Sequence, residues 1–383
     1  MNDFNFKIPQ NITFGLGSLK KLPQFMKKEG LEHVFLISDR GLEALGVVKR
    51  TQELIEADGL RCTPYLDVPP NPTTAAVEAA VTQYLACGAT GIVALGGGGP
   101  IDVAKAVGVL AKYGGKVMDY AGNHKVPGPI VPMIAIPTTA GTGSEATASS
   151  VITNELTNFK FAIFSYELLP RHAILDPELI MTAPVSVAAA CGMDALIHAI
   201  EAYLSKEATP FSDAFAEKAM ELIGANLRRF VANRHDGDAA CAMMLGSNFA
   251  GIAFAWARLG NVHALSHPVS GFFHVAHGVA NALLLPTVME FNAAADRGRY
   301  EVIYRYVNQS EEESSHFAPE LLVEELRQLN VTLGGIPKSL REVGVTEDMI
   351  PAMAEDAMKS GNILTNPRQT SLEDVIELYK QAL

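Results

Sequence analysis

Four of the chain's ten histidines, His263, His267, His274 and His277, fall within ARLGNVHALSHPVSGFFHVAHG, the stretch from Ala257 to Gly278. Upstream, in CGMDALIHAIEAY, Asp194 and His198 stand four residues apart on a helical pattern, so both project from one face. Such pairs are common on solvated helices, but Ala195, Leu196, Ile197, Ala199 and Ile200 make this helix mostly apolar. A carboxylate and an imidazole buried there need a cation or each other. His263 and His267 repeat the spacing; Pro268 is expected to end or kink the helix after the second, and Gly271 to break the pattern before His274 and His277. The four histidines are therefore not equivalent. One carboxylate with imidazoles and no thiolate is a borderline donor set that suits Fe(II), Zn(II), Mn(II) or Co(II). The chemistry it serves is Lewis-acid polarisation of an oxygen.

Two further stretches suit phosphate. GIVALGGGGPIDVAK, Gly91 to Lys105, runs a short apolar strand into four glycines and then into helical spacing opened by Pro100. Glycine lets a ligand approach the backbone, and the helix that follows offers free N–H groups to a pyrophosphate. IPTTAGTGSE, Ile136 to Glu145, follows another apolar run and supplies hydroxyls and small residues. Two such loops suggest a dinucleotide. The glycine spacing is not G-x-G-x-x-G, and the acidic residue assigned to the ribose, Asp39 in LISDRG, precedes the glycines instead of following them. An unusual nucleotide-binding topology is expected.

The elements that must position these residues follow from periodicity. Between Glu32 and Ile136 short apolar runs alternate with amphipathic segments, the mark of βαβ units on a parallel sheet. After about Asp176 long helical patterns take over, and DPELIMTAP, with its two prolines, marks a plausible boundary. A chain of 383 residues exceeds the usual size of one core, so two domains are expected. NQSEEESSH, starting at Asn308, reads as an exposed connection.

A formal net charge of −12, with no basic block, argues against a nucleic-acid partner. The N-terminal stretch MNDFNFKIPQNITFGLG lacks the pattern of a secretory signal, and no apolar run reads as long enough to cross a bilayer. A soluble, cytoplasmic protein with no membrane partner is expected. Cys62, Cys87, Cys191 and Cys241 are scattered, as suits reduced thiols.

These motifs, GGGGPIDVAK, IPTTAGTGSEAT, GMDALIHAIEAY and LGNVHALSHPVSGFFHVAHGVANALLLP, come in the order found in the iron-containing (group III) alcohol dehydrogenases, which the chain resembles over essentially its whole length. The resemblance implies an α/β nucleotide-binding domain of dehydroquinate-synthase type over 1–182, an all-α metal-binding domain over 183–383, and a metal and nicotinamide that meet between them. It implies Asp194, His198, His263 and His277 as metal ligands, Fe(II) or alternatively Zn(II) as the metal, and His274 outside the ligand set. For NAD(H) it implies Gly97, Gly98 and Gly99 at the pyrophosphate with Asp102 close by, and Thr138, Thr139, Thr142 and Val151 along the cofactor. Asn71 would approach the adenosine side, and Lys160 and Leu179 the ribose and nicotinamide. Asp39 would hold the ribose diol and repel a 2′-phosphate, favouring NAD over NADP. Departures from the family pattern include Gly99, where serine is usual, and Ser149, Ser150, Trp256 and Arg258 where other residues are common.

The expected activity is hydride transfer between NAD(H) and a short-chain primary alcohol or diol and its aldehyde, by a homodimer or larger homo-oligomer. His267 is the candidate proton relay, since imidazole titrates near neutrality; orienting a ligand is its equal alternative. Phe254 reads as core or pocket wall. Arg258, with Ser149, suggests the anionic tail of an aldehyde such as sulfoacetaldehyde, against the plainer reading of an ion pair. Readings of other classes are an NAD-using lyase of the dehydroquinate synthase type and a non-catalytic metal-binding protein.

Overall fold

The computed structural model describes residues 10–157, 159–308 and 316–383. Most of the connection expected in NQSEEESSH lies outside them, as do the first nine residues. The described residues form two compact units, one of residues 10–139 and 143–181, the other of Ala140–Thr142 and Thr182–Leu383.

The first unit is built on a sheet of six strands: β1 (Asn11–Phe14), β2 (His33–Ile37), β3 (Arg61–Tyr65), β4 (Gly91–Gly96), β6 (Met133–Pro137) and β9 (His172–Leu175). They run in the order β1-β9-β6-β4-β2-β3, and every pairing is parallel. The central strands HVFLI and GIVALG are buried throughout, so they read as continuous apolar runs. Their side chains alternate between two cores. Phe35, Ile37, Ile92 and Ala94 pack in one core with Val77 and Tyr84 of α4 (Thr74–Cys87) and Val103 and Val107 of α5 (Gly98–Tyr113). Val34, Leu36, Val93 and Leu95 pack in the other with Met26 of α1 (Leu22–Lys28) and Ile55 of α3 (Val47–Ala57). Each such aliphatic side chain contributes about 1.5–3 kcal/mol on full burial.

The strand order explains why the acidic residue precedes the glycines. After β2 the chain passes through α2 (Arg40–Ala44) and α3 to β3 on one side, then returns through α4 to β4 on the other. Neighbouring strands β2 and β4 thus flank the point where the order reverses, and ligands of open parallel sheets bind beyond the carboxyl ends of strands at such a point. Asp39 follows the end of β2, and Gly97 follows the end of β4.

A smaller sheet, not anticipated from periodicity, joins β5 (Gly122–Asn123), β8 (Phe159–Phe164) and β7 (Ser149–Asn154), with β7 and β8 an antiparallel hairpin. Alternation was masked there because both faces of β7 are partly covered.

The second unit carries α6 (Val185–Leu204), α7 (Pro210–Ala232), α8 (Gly237–Ala257), α9 (Asn261–Phe273), α10 (His277–Asn292), α11 (Arg299–Val307), α12 (Pro319–Leu333), α13 (Ile350–Ala357), α14 (Asn362–Thr365) and α15 (Leu372–Ala382). Helices α6, α7 and α8 pack on one another, and α10 lies on α6 and α9. Two expectations are corrected here. Helix α9 continues past Pro268 and Gly271 and ends only at His274, whose φ of 55° is left-handed. The bond lost at Pro268 is outweighed by burial of Val262 to Leu265 and by side-chain caps on the helix start, described below. Helices α6 and α8 are also long and apolar enough to cross a bilayer, contrary to the sequence expectation. They are apolar nearly all round because they lie inside the fold, 78% and 67% buried over their most apolar windows.

Candidate metal centre and cofactor loops

Helix α6 presents Asp194 and His198 one turn apart, both nearly inaccessible at 3% and 4% exposure. Asp194 Oδ1 is the hub of the cluster: His263 Nε2 lies 3.7 Å away, and the Nε2 atoms of His198 and His277 each lie 3.9 Å away. Asp194, His263 and His277 can each turn one ligand atom to a common point. Two close backbone approaches hold the helices in place. A Cβ on Gly278, beside His277, would lie 2.2 Å from Ala190 O, and one on Gly141 would lie 2.8 Å from Cys191 Cβ, so only glycine lets these segments lie against α6.

The imidazoles are aimed from behind. His198 Nδ1 donates to Gly141 O at 3.2 Å, and His263 Nδ1 donates to Glu201 Oε2 at 2.6 Å. Each tether leaves Nε2 facing Asp194, the arrangement typical of metal-bound histidine. Glu201 Oε1 also accepts from Val262 N at 2.7 Å, and Asn366 Oδ1 accepts from Asn261 N at 3.1 Å, which caps the start of α9. Asn281, one turn after His277, donates through Nδ2 to Asp194 Oδ1 at 2.7 Å.

Electrostatics agree with a cation site. Burial works to raise the Asp194 carboxyl, but His198, His263 and His277 outweigh it and hold it well below the carboxylate range. Burial pushes His198 down to about 4 against Asp194. At His263 burial opposes, yet the hydrogen bonds to Asp194 and Glu201 lift it to about 9. Two buried carboxylates, Asp194 and Glu201, thus hold a proton among the imidazoles, and a divalent ion beside Asp194 would supply that positive charge in its place. The residues fit such an ion.

His267 is half-buried and its ring stacks on that of His277 at 5.4 Å between centroids, whereas His274 is exposed. Phe254 stacks on His198 at 4.4 Å, so it walls the cluster. Arg258 is exposed at the end of α8.

In the sheet unit, Gly97 precedes the first turn of α5, and Gly98 and Gly99 open that helix, all three half-buried. Thr138 N donates to Gly96 O at 3.0 Å, and a Cβ on Gly97 would lie 3.2 Å from Thr139 Oγ1, so the two loops interlock. Thr142 groups with the helical unit. Asp39 caps α2 through a bond from Leu42 N at 2.9 Å, the turn-forming role that competes with a ribose contact. Lys160 Nζ donates to Asn71 Oδ1 at 3.0 Å. Asp102 Oδ2 accepts from Val151 N at 3.1 Å and Oδ1 from Ser144 Oγ at 2.7 Å. Ser149 opens β7, and Leu179 is a core residue 2% exposed.

Sequence reasoning missed Glu201, Asn281 and Lys105. Glu201 carried a legible signal, lying three residues after His198 on the same apolar helix, and Asn281 lies four after His277.

Two family models match the chain: "Iron-containing alcohol dehydrogenase" over residues 9–177 and "Fe-containing alcohol dehydrogenase family, C-terminal" over 188–383. The chain is 37% identical over 382 residues to 1,3-propanediol dehydrogenase of Citrobacter freundii, covering 99% of this chain and 98% of that protein. It is 38% identical to lactaldehyde reductase of Escherichia coli strain K12, over 96% of this chain and 97% of that one. A crystal structure of 1,3-propanediol oxidoreductase superposes with a TM-score of 0.96 at 35% identity, covering 100% of both chains. With its carboxylate–imidazole cluster, its interlocked glycine and threonine loops and matches along nearly its full length, the chain belongs to the iron-containing alcohol dehydrogenase family.

Proposed function

We propose that the protein is a metal-dependent, NAD(H)-linked oxidoreductase that interconverts a short-chain primary alcohol or diol and its aldehyde. The observation that carries this reading is the buried Asp194 hub with its tethered imidazoles. When bound, a divalent ion supplies Lewis acidity and the nicotinamide supplies or accepts the hydride.

The chain's own residues do the rest. Asp194, His198, His263 and His277 hold Fe(II), or Zn(II) in its place, while Glu201 and Gly141 keep two imidazoles aimed. The backbone N–H groups at Gly97, Gly98 and Gly99 take the pyrophosphate, Asn71 approaches the adenosine side, and Lys160 lies along the ribose and nicotinamide side. Asp39 spares one carboxylate oxygen for the adenosine ribose while the other caps α2. His267, half-buried beside His277, delivers a proton from its imidazole nitrogen to the product oxygen, directly or through water. Phe254 shields the cluster from water. The enzyme acts in the cytoplasm, as a homodimer or larger homo-oligomer; an exposed edge strand, β1, with Ile12 and Phe14 more than a third exposed, supports the assembly.

The test follows NADH absorbance with metal-stripped protein before and after adding Fe(II) or Zn(II), across glycolaldehyde, lactaldehyde, 3-hydroxypropionaldehyde, butanal and sulfoacetaldehyde. Metal-restored NADH oxidation is expected, and the ranking of aldehydes identifies the substrate class. Tight NADH binding without oxidation of NADH by any pair would instead favour a lyase that uses NAD without net turnover.

A further inference from the structure

Lys105, on the second turn of α5, has no exposed surface, although lysine is rarely buried without a partner. Its Nζ lies 2.7, 2.9 and 2.7 Å from the carbonyl oxygens of Ser144, Thr147 and Ser149. The hydroxyls of Thr147 and Ser144 stand at 3.0 and 3.2 Å. An ammonium has three N–H donors and no acceptor, so the three carbonyls match it one for one. Three carbonyl dipoles from one short segment converge on that point, and without a cation there they would repel one another.

One turn earlier on the same helix, Asp102 holds the same segment by its other groups. Its carboxylate accepts from Ser144 Oγ and Val151 N, and its carbonyl accepts from Ser150 Oγ at 2.8 Å. Burial pushes Lys105 down to about 8, with Asp102 and Glu145 opposing, so the ammonium keeps its charge at neutral pH. The helix that grips residues 144–151 is also entered through Gly96 and Gly97, which interlock with Thr138 and Thr139 at the other end of the loop.

We propose that Lys105 is a positioning residue for the cofactor: its buried ammonium presets the loop that follows Thr139, so that the glycine and threonine loops are already paired when the dinucleotide arrives. Lys105 touches no ligand and acts only through Ser144, Thr147 and Ser149. The assignment rests on the NAD(H) reading above. Loss of the ammonium frees three carbonyls and leaves Asp102 with Lys160 as its remaining countercharge, and the loop then adopts other conformations from which binding must select.

The experiment is Lys105→Met in the full-length, metal-loaded protein, with NADH fluorescence titration, steady-state kinetics, thermal unfolding and Zn(II) affinity by chelator competition. The NADH dissociation constant and KM are expected to rise at least tenfold, while kcat at saturating NADH, aldehyde KM and Zn(II) affinity stay within about threefold. A role in general stability alone would lower the unfolding midpoint and leave NADH affinity of the folded fraction unchanged, which would overturn the proposal. If Lys105→Met does not fold, Ser144→Ala and Thr147→Val remove the two hydroxyls that accept from Nζ, Ser144→Ala together with its donated bond to Asp102; a threefold or greater rise in the NADH dissociation constant with Thr147→Val supports the proposal, and none in either overturns it. Wild-type protein that binds no NADH defeats the functional reading itself, whereas wild-type binding with indistinguishable variants defeats the assignment of Lys105 alone.

Discussion

Glu201 Oε2 accepts a hydrogen bond from His263 Nδ1 at 2.6 Å, and this bond turns the opposite ring nitrogen toward Asp194. The second Glu201 oxygen caps α9 at Val262, so one carboxylate fixes both the ring and the helix that carries it. Glu201→Gln keeps the shape but removes the charge that favours the Nδ1–H tautomer. Zn(II) affinity measured by chelator competition is expected to fall about 10–100-fold, the usual effect of losing such a partner. Unchanged affinity would show that helix packing alone aims His263.

Two ammonium groups in the sheet unit set a pH dependence. Burial brings both Lys105 and Lys160 down from 10.5 to about 8, with Asp102 opposing in each case. Below that pH both are charged, as the carbonyl cradle around Lys105 and an anionic cofactor beside Lys160 require; above it the charge is lost. The NADH dissociation constant is therefore expected to stay flat up to about pH 8 and then rise by about tenfold per pH unit for each group lost. Cofactor-free stability moves the other way, because between about 8 and 10.5 the unfolded chain binds protons that the native one does not, so unfolding free energy increases with pH there. Fluorescence titration of NADH across this range checks the first sign; a constant that does not move above pH 8 would remove both lysines from cofactor binding.

Legibility in the sequence followed the range of the forces involved. The alternation of buried strands and amphipathic helices is local, and so was read directly from HVFLIS and GIVALGGGG. Asp194 and His198 were legible because two costly polar side chains share one face of an apolar helix. Glu201 stands on the same face but looked like an ordinary charged residue, since its partners Val262 and His263 lie far along the chain. Lys105 was hidden for the same reason: its acceptors are carbonyls, which no side-chain pattern reveals. Pro268 misled because local backbone preference was outweighed by the burial of α9, a tertiary effect.

Gly99 stands where the family resemblance leads one to expect serine, and the space around it predicts what a serine there would do. A Cβ at this position would meet Pro69 O, Pro70 O and Pro72 Cγ at 3.5 to 3.7 Å, ordinary contact distances, and the backbone there is not left-handed. Gly99→Ser is expected to fold normally and to bind NADH about three- to tenfold more tightly, the effect of one hydroxyl bond of about 1 kcal/mol to a phosphate. Calorimetric titration of NADH decides; weaker binding would mean that the hydroxyl crowds the pyrophosphate.

Arg258 ends α8 with φ 66° and ψ −173°, a conformation almost reserved for glycine, while its N–H still bonds Phe254 O. Holding a side-chain-bearing residue there costs on the order of 1–3 kcal/mol. Arg258→Gly is accordingly expected to raise unfolding free energy by about 1 kcal/mol, read from denaturant melts of wild type and variant. Strain of this kind persists where the side chain earns its place, and here the strained residue is the next turn after Phe254, which stacks on His198. If the guanidinium receives the anionic tail of a substrate, Arg258→Ala lowers the ratio of kcat/KM for sulfoacetaldehyde over butanal by at least about tenfold, the scale of a charge-assisted hydrogen bond. A stabilised variant with an unchanged ratio would assign the arginine to the turn between α8 and α9 and leave substrate choice to the apolar wall at Phe254.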